Sequence, residues 1–532
     1  MTLRVICGGE NYNIGVRPQS SFIDMSKRKL IRSTGVIGAA TALSRILGFV
    51  RDIVIAAFFG TAVYAQAFVV AFRIPNLLRD LIGEGATNAA FVPVLTEELE
   101  KKGKQDFFAL SQVILNILFT ALLVLAAVGM LASPLIVKLI APGFSADPQK
   151  FGVTVTLTRV LFPFLILVGL WAYAMGVLNT LGHFAAPAFG SCALNLTMIL
   201  CAMWFGENVF GLAAGVLAGG LLQLAMQFPP LYLNGWRPRL TSQFAHPKAK
   251  RIGRLLLPRA LGACVYQVNV FVSTVLASFS GIVGEGAVAA LYYANRIWQL
   301  PLAVFGIALA QAALPAMSKH AALDETEHLK ETISFSLKAV FFMLVPATVG
   351  LMALATPITR VLFERGLFTD YSTRITASAL FFYAFGLVAC GGAKILVSAF
   401  YSMQDTMTPV KTAFWSLALN IALNVALMGT LKVGGLALAT SVSAVFNFAI
   451  LFVFLKKRIG DFGVTGIFDS LARALLAGIV MGAVLLFALP APSGWTGLIL
   501  TIAFGIAVYA AAAYLLKSEE MRSFLGWISG KR

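Results

Sequence analysis

The sequence predicts an all-α polytopic membrane protein of about fourteen transmembrane helices, arranged as two six-helix lobes in a parallel repeat plus two C-terminal helices. Three observations predict it. The 532-residue chain is 59% hydrophobic and only 12% charged, about half the charged share of an ordinary soluble domain. Apolar runs with short polar breaks recur from end to end, too long and continuous for the alternating strands of an outer-membrane barrel. Segments of the first half also return in the second at a nearly constant spacing.

In order, the apolar runs place helices over 33–59, 62–83, 107–140, 152–181, 185–206, 209–233, 252–279, 287–318, 329–356, 372–402, 409–430, 434–455, 468–490 and 494–516. Several exceed the ~20 residues that cross a bilayer, so tilt or protrusion into water is expected. The domain reading follows: a polar N-terminal tail (1–30), an N-lobe (31–235), a C-lobe (250–458), a C-terminal helix pair (465–517) and a tail (518–532). The first tail has no apolar core and does not read as a secretory signal. Met25, ahead of "SKRKLIRS", offers an alternative start.

Loop charge sets the orientation. Lys27, Arg28, Lys29 and Arg32 precede the first span; Lys101, Lys102 and Lys104 follow the second. Arg237, Arg239, Lys248, Lys250, Arg251 and Arg254 follow the sixth, and Lys456, Lys457 and Arg458 the twelfth. Loops on the other face, such as "GTAVYA", "FGENVFG" and "PAPSGWTG", hold almost no Lys or Arg. Both termini are therefore expected in the cytoplasm. Much of the net charge of +18 is topological, and no nucleic-acid motif accompanies it.

The repeat is read from matched residues. Ala71, Arg73, Ile74 and Leu77 of "AFRIPNL" return as Ala294, Arg296, Ile297 and Leu300 of "ANRIWQL", a shift of 223. Pro93 and Pro315, and Pro187 and Pro409, repeat at a shift of 222. Six helices, an even number, separate the copies, so both have the same orientation about an axis along the membrane normal. Two such lobes around a cleft are expected to work by alternating access.

The spans carry too much positive charge. Arg45 lies about 18 Å along the first helix, near the midplane, where a charge costs at least ~2.5–3.5 kcal/mol to insert. Arg51 and Asp52 follow; the second span adds Arg73, Arg79 and Asp80, with Glu84 at its end. Arg159, Arg259, Arg296 and Lys394 lie in later spans. Cations outnumber carboxylates severalfold, so internal salt bridges neutralise only a few. One reading pairs them with helix carbonyls, Asp52 or Asp80, or sends them to headgroups. This suits Arg159, Arg259 and Arg73. The other reading, preferred for Arg45, Arg51, Arg79 and Arg296, lines a central cavity with guanidiniums, whose forks suit phosphate or diphosphate.

The sign of the charge narrows the function classes. An exporter of cations or cationic drugs needs acids on its path, and few are present. No P-loop, HExxH motif or nucleophile elbow appears, so the chain reads as a transporter and not an enzyme. No cofactor is implied; energy would come from an ion gradient or the membrane potential, worth ~2.3 kcal/mol per charge per 100 mV. Cys7, Cys192, Cys201, Cys264 and Cys390 and the four histidines show neither disulfide nor metal-ligand spacing.

An ordered series of motifs then resembles the MurJ (MviN-type) lipid II flippases, of the multidrug/oligosaccharidyl-lipid/polysaccharide exporter superfamily. The series runs "SRILGFVRD" (44–52), "AFRIPNLLRDLIGEGATNAAFVPV" (71–94), "APGF" (141–144), "YYANRIWQLPLAVFGIAL" (292–309), "LFERGLFT" (362–369) and "FYSMQDTMTPVK" (400–411). The resemblance implies transport of lipid II, the undecaprenyl-diphosphate-linked peptidoglycan precursor, from the inner to the outer leaflet of a bacterial inner membrane. It implies a cationic cavity and a lipid-tail groove on the last two helices; action as a monomer is expected because two lobes enclose a path within one chain. It assigns Arg45, Arg51, Arg79 and Arg296 to the diphosphate, with Asp52, Glu84, Lys394 and Arg473 in supporting or gating roles. The chain departs from the family at Gln66, Asn295 and Gln299, where acids stand in some or most members. Those losses make the cavity still more positive. A flippase for another polyprenyl-diphosphate glycan is the nearest rival reading. A multidrug antiporter, a membrane-embedded glycosyltransferase or lipid phosphatase, and a non-transporting scaffold fit the charges less well.

Overall fold

A computed structural model describes residues 2–7, 10–15, 19–79, 87–239, 247–488, 490, 492 and 494–528. A short antiparallel hairpin, β1 (Thr2–Cys7) with β2 (Glu10–Gly15), opens the chain in the register Thr2↔Gly15 to Cys7↔Glu10. All other regular structure among the described residues is helical. The first helix begins at Gln19, so much of the stretch read as a polar tail has regular backbone structure.

The first half comprises α1 (Gln19–Phe59), α2 (Val63–Arg79), α3 (Thr87–Lys102), α4 (Lys104–Leu131), α5 (Ser133–Ile140), α6 (Pro148–Leu161), α7 (Phe164–Thr180), α8 (Ala185–Phe205), α9 (Val209–Ala225) and α10 (Phe228–Leu233). The second comprises α11 (Pro247–Ala277), α12 (Ser280–Val283), α13 (Ala287–Pro301), α14 (Ala308–Ala322), α15 (Thr326–Ala353), α16 (Ala355–Phe363), α17 (Asp370–Phe385), α18 (Leu387–Ser402), α19 (Met407–Leu427) and α20 (Lys432–Ile459). Then follow α21 (Val464–Ala483), α22 (Gly494–Leu515) and α23 (Glu519–Ile528).

Packing repeats between the halves. In the first, α2 packs on α6, α7 on α9, α8 on α9 and α1 on α8. In the second, α13 packs on α17, α18 on α20, α19 on α20 and α11 on α19. The helix α21 then lies against α15 and α22. The matched sequence segments thus occupy matching positions in two similar bundles.

Ten helical stretches among the described residues are long and apolar enough to cross a membrane, or eleven if the bent pair α17–α18 is one span. The fourteen predicted spans are therefore not all met by length and composition. The three that fall short are α1, α2 and α11. The described part of α1 holds Arg45, Arg51 and Asp52; α2 has only 17 residues; the described apolar part of α11 is Gln267–Ala277.

Breaks in the helices have local causes. Asp147 caps α6, accepting from the backbone N–H groups of Gln149 (3.0 Å) and Lys150 (3.1 Å), with Pro148 at the first turn. Pro163 separates α6 from α7, because it supplies no N–H to carry the ladder across. Pro301 is followed by a π-helical stretch, Leu302–Ile307. The 44° bend between α17 and α18 falls at Gly386. There Ser441 of α20 donates to the carbonyls of Phe382 (2.6 Å) and Tyr383 (3.2 Å), satisfying groups the bend frees.

Candidate functional site

The site is built where α1 meets α8 and α13. Arg51 is 5% exposed and Asp52 only 1%. A buried guanidinium needs a counter-charge and filled hydrogen bonds. Asp52 supplies the charge: its Oδ1 accepts from Arg51 Nε (3.0 Å) and Nη2 (2.8 Å). Asn195 of α8 fills the third direction, accepting from Arg51 Nη1 at 2.9 Å. The Asn195 amide in turn donates to the carbonyls of Ser44 (3.1 Å) and Ser191 (3.0 Å), which ties α1 to α8.

From the second half, Arg296 of α13 brings its Nε to 3.0 Å from Asp52 Oδ2, with its side chain 36% exposed. Tyr292, one turn earlier, knits the group together. Its hydroxyl donates to Asp52 Oδ1 (3.0 Å) and accepts from Arg51 Nη2 (3.3 Å) and Arg296 Nη2 (3.4 Å). That uses the one donor and two lone pairs of a phenol. The Arg296 guanidinium also lies 5.3 Å from the Tyr292 ring centroid. Two guanidiniums, one from each half, thus share a single carboxylate, and the cluster keeps one net positive charge.

The remaining predicted residues fall in different places. Arg45 is exposed and makes no hydrogen bond or ion pair among the described residues. It shares a helix face with Asp52, yet Asp52 pairs with Arg51 and Arg296. The side chain of Arg79 and all of Glu84 lie outside the described residues, as does the side chain of Arg259. Lys394 is exposed on α18, one turn from Cys390, and makes no hydrogen bond or ion pair with the cluster among the described residues. Arg473 pairs with Asp469 (2.6 Å) and donates to the Lys517 carbonyl (2.9 Å), fastening α21 to the turn before α23. The sequence reading assigns Arg51 to the substrate; in this structure its Nε, Nη1 and Nη2 bond to Asp52, Asn195 and Tyr292. Asn195 and Tyr292 were missed; a lone Asn in the apolar run of α8, and a Tyr four residues before Arg296, were the available signals.

Other spaces and ends complete the setting. A cavity of about 240 Å³ lies between α2, α5 and α11, with Arg73, Leu77, Ile140, Gln267 and Phe271 in its wall. At the basic end, α11 meets α3 through Lys248 with Glu98, and Arg251 with Glu97 at 2.9 Å. The hydrogen bond from Lys248 holds the Glu98 carboxyl below the usual glutamate range. At the opposite end the halves touch directly. The Leu367 N–H donates to the Ala57 carbonyl (2.8 Å), the hydroxyls of Thr61 and Ser372 lie 2.8 Å apart, and Lys150 Nζ pairs with Glu285 Oε2 at 3.3 Å.

The sequence pattern of the family described as "Lipid II flippase MurJ" matches residues 55–504. The chain belongs to the MurJ family. A "Probable lipid II flippase MurJ" of Rhizobium tropici is 36% identical over 516 residues, covering 92% of this chain and 95% of the relative. A "Lipid II flippase MurJ" of Burkholderia cenocepacia is 36% identical over 440 residues, 81% of this chain and 84% of the relative. Among solved structures, "Lipid II flippase MurJ, inward closed conformation" superposes with a TM-score of 0.77 at 25% identity, over 92% of this chain and 99% of that one. A MATE-family multidrug transporter in an inward-facing conformation shares the fold, with a TM-score of 0.66 at 15% identity over 79% of this chain and 96% of that one. Within the MurJ fold seen here, the halves make polar contact at the central cluster, at the seam opposite the basic end, and at the basic end itself through α3 and α11.

Proposed function

We propose that this chain is a lipid II flippase, carrying the undecaprenyl-diphosphate-linked peptidoglycan precursor from the inner to the outer leaflet of a bacterial inner membrane by alternating access. The observation that carries the reading is the single carboxylate of Asp52 shared between Arg51 of one half and Arg296 of the other. Such a cluster is poised for an anion, and a diphosphate is the anion a guanidinium fork fits best.

In this reading the headgroup enters from the basic end while the seam at the other end is closed. Arg296, partly exposed, and Arg45, exposed, are the groups that meet the diphosphate. As the diphosphate bonds to Arg296 it takes over the role of Asp52. Arg51, itself held by Asn195, keeps Asp52 in place meanwhile. Arg79 belongs to the reading only through the "NLLR" motif it shares with the family. The polyprenyl tail stays in the bilayer, with the α21–α22 pair as its support. Both termini are assigned to the cytoplasm by the Lys and Arg of the basic end. The carrier works as a monomer, without a cofactor, driven by an ion gradient or the membrane potential, and it makes or breaks no covalent bond in its cargo.

Vesicles reconstituted with the protein and fluorescent lipid II test this. Wild-type protein should move lipid II between leaflets, and Arg296→Ala should abolish the movement while still inserting. Parallel vesicles with a peptide-free polyprenyl-diphosphate glycan, or with a cationic dye, separate the rivals. Transport of either one in place of lipid II overturns the reading.

A further inference from the structure

The seam opposite the basic end is closer than side chains would permit. The carbonyl of Ser278, just after α11, faces Gly143, in the 3₁₀ turn Pro142–Ala146 of the first half. A Cβ on Gly143 would lie 2.2 Å from that oxygen and 2.5 Å from its carbon. Gly60 and Gly366 repeat the arrangement: a Cβ on Gly60 would lie 2.3 Å from the Leu367 carbonyl oxygen, and one on Gly366 2.2 Å from that of Ala57. All three approaches are glycine against backbone of the opposite half, so no side chain can rotate out of the way. Carbon and carbonyl oxygen normally keep about 3.3–3.6 Å. One methyl group would therefore hold the halves apart by more than an ångström at the contact.

Polar contacts lie along the same line. The Gly143 N–H donates to the Ser278 hydroxyl at 3.0 Å. Lys150, whose side chain is only 3% exposed, reaches Glu285 and lies 4.4 Å from the Phe144 ring centroid. Thr61 and Ser372 meet at 2.8 Å. Three of these partners, Gly143, Phe144 and Lys150, fall within eight residues, on the turn that leads into α6 and on its first turn.

We infer that this seam is a latch whose closing requires glycine at 143, 60 and 366, and that Gly143 is a state-determining residue of the transport cycle. The inference rests on the proposed alternating-access function. Gly143 is the informative position, because its backbone is not left-handed and the three atoms nearest an added Cβ all belong to the other half. A methyl group there is incompatible with the closed seam. Gly60 and Gly366 have φ of +55° and +58°, so substitution there adds backbone strain and reports less cleanly.

The test uses the full chain with its five cysteines replaced by serine. Spin labels are placed at Ala146→Cys and Ile282→Cys, exposed positions on the two sides of the seam. In vesicles the parent should show a short-distance population, and Gly143→Ala should lose it in favour of longer distances. Gly152→Ala, where nothing lies within 4 Å of the added carbon, serves as the control and should match the parent. A melting curve equal to the parent's shows that Gly143→Ala is folded. Should it melt early, Lys150→Gln, which loosens the latch without a clash, is read in its place and should also deplete the short population. An unchanged distance distribution in the folded variant overturns the latch. Lipid II movement by the parent is scored separately: its absence overturns the proposed function, whatever Gly143→Ala does to the distances.

Discussion

Asp52 on α1 and Arg296 on α13 meet at 3.0 Å across the boundary between the two halves, and the same carboxylate already holds the buried Arg51. One acid thus serves two masters of unequal exposure. The buried partner cannot leave without stranding a charge; the partly exposed partner can be drawn away by a competing anion. Stability and transport should therefore respond differently to substitutions at the three arginines of this region.

Arg51→Ala should lower the melting temperature in detergent. Removing one partner of a buried ion pair costs about 3–5 kcal/mol when the other is left unpaired. Here Arg296 and Tyr292 still hold Asp52, so a value at or below the low end is expected. Arg45→Ala should leave melting unchanged, because the side chain is exposed and makes no ion pair among the described residues, and should sharply reduce lipid II movement. Equal melting losses for the two variants would contradict this division of roles.

Tyr292→Phe deletes the one hydroxyl that contacts all three charged groups. Loss of a buried hydrogen-bonding partner costs about 1–3 kcal/mol. The variant should fold, melt earlier and transport more slowly, with Asn195→Ala behaving similarly through Arg51. A double substitution should cost less than the sum of the two, since both act on one network. Melting curves of the four proteins form the cycle that measures it.

Asp405 accepts from the backbone N–H groups of Met407 (3.1 Å) and Thr408 (2.9 Å) at the start of α19, and pairs with Arg458 at the end of α20. The Thr408 backbone bond first, then its hydroxyl and the Arg458 charge, hold the carboxyl below the usual aspartate range against the opposing effect of burial. A depressed carboxyl adds stability that is fully present above the unfolded value near ~3.9 and is lost as pH falls through the lower folded value. Asp405→Asn should therefore lower the melting temperature by a constant amount between pH 8 and pH 5. The gap should narrow only below about pH 4. A gap that already closes between pH 7 and pH 5 would contradict the assignment.

Arg473 should matter little to the cargo. Its i,i+4 pair with Asp469 is largely exposed, a class worth about 0.3–0.5 kcal/mol, and its bond to the Lys517 carbonyl is local. Arg473→Ala should cost less than about 1 kcal/mol in melting and leave lipid II movement intact. Lost transport with unchanged melting would instead place it on the path.

Composition and apolar periodicity were enough to read the helical class, and the spaced matches at Arg73/Arg296 and Pro187/Pro409 anticipated the repeated packing. The breaks at Pro163, Pro301 and Gly386 were not placed. Hydropathy is blind to them, since a span stays equally apolar whether straight or bent. At the site, charge inside an apolar run singled out Arg51, Asp52 and Arg296. What it did not yield was who pairs with whom. Arg51 and Asp52 are neighbours in sequence, and only the depth at which α1 packs on α8 decides that they face each other instead of separate partners. Glu285, in a loop, and Lys150, in the first turn of α6, lie 135 residues apart, and no periodicity links them.

The cluster is also divided unevenly along the line where the halves separate. The first half keeps an acid and a base that cancel, Asp52 and Arg51; the second contributes Arg296, whose side chain is partly exposed. Parting the halves would take Arg296 away from the Asp52 carboxylate, and under the proposed function a diphosphate travelling with it would replace that counter-charge. Under the proposed function, the position of one aspartate thereby favours crossing with cargo over crossing without it.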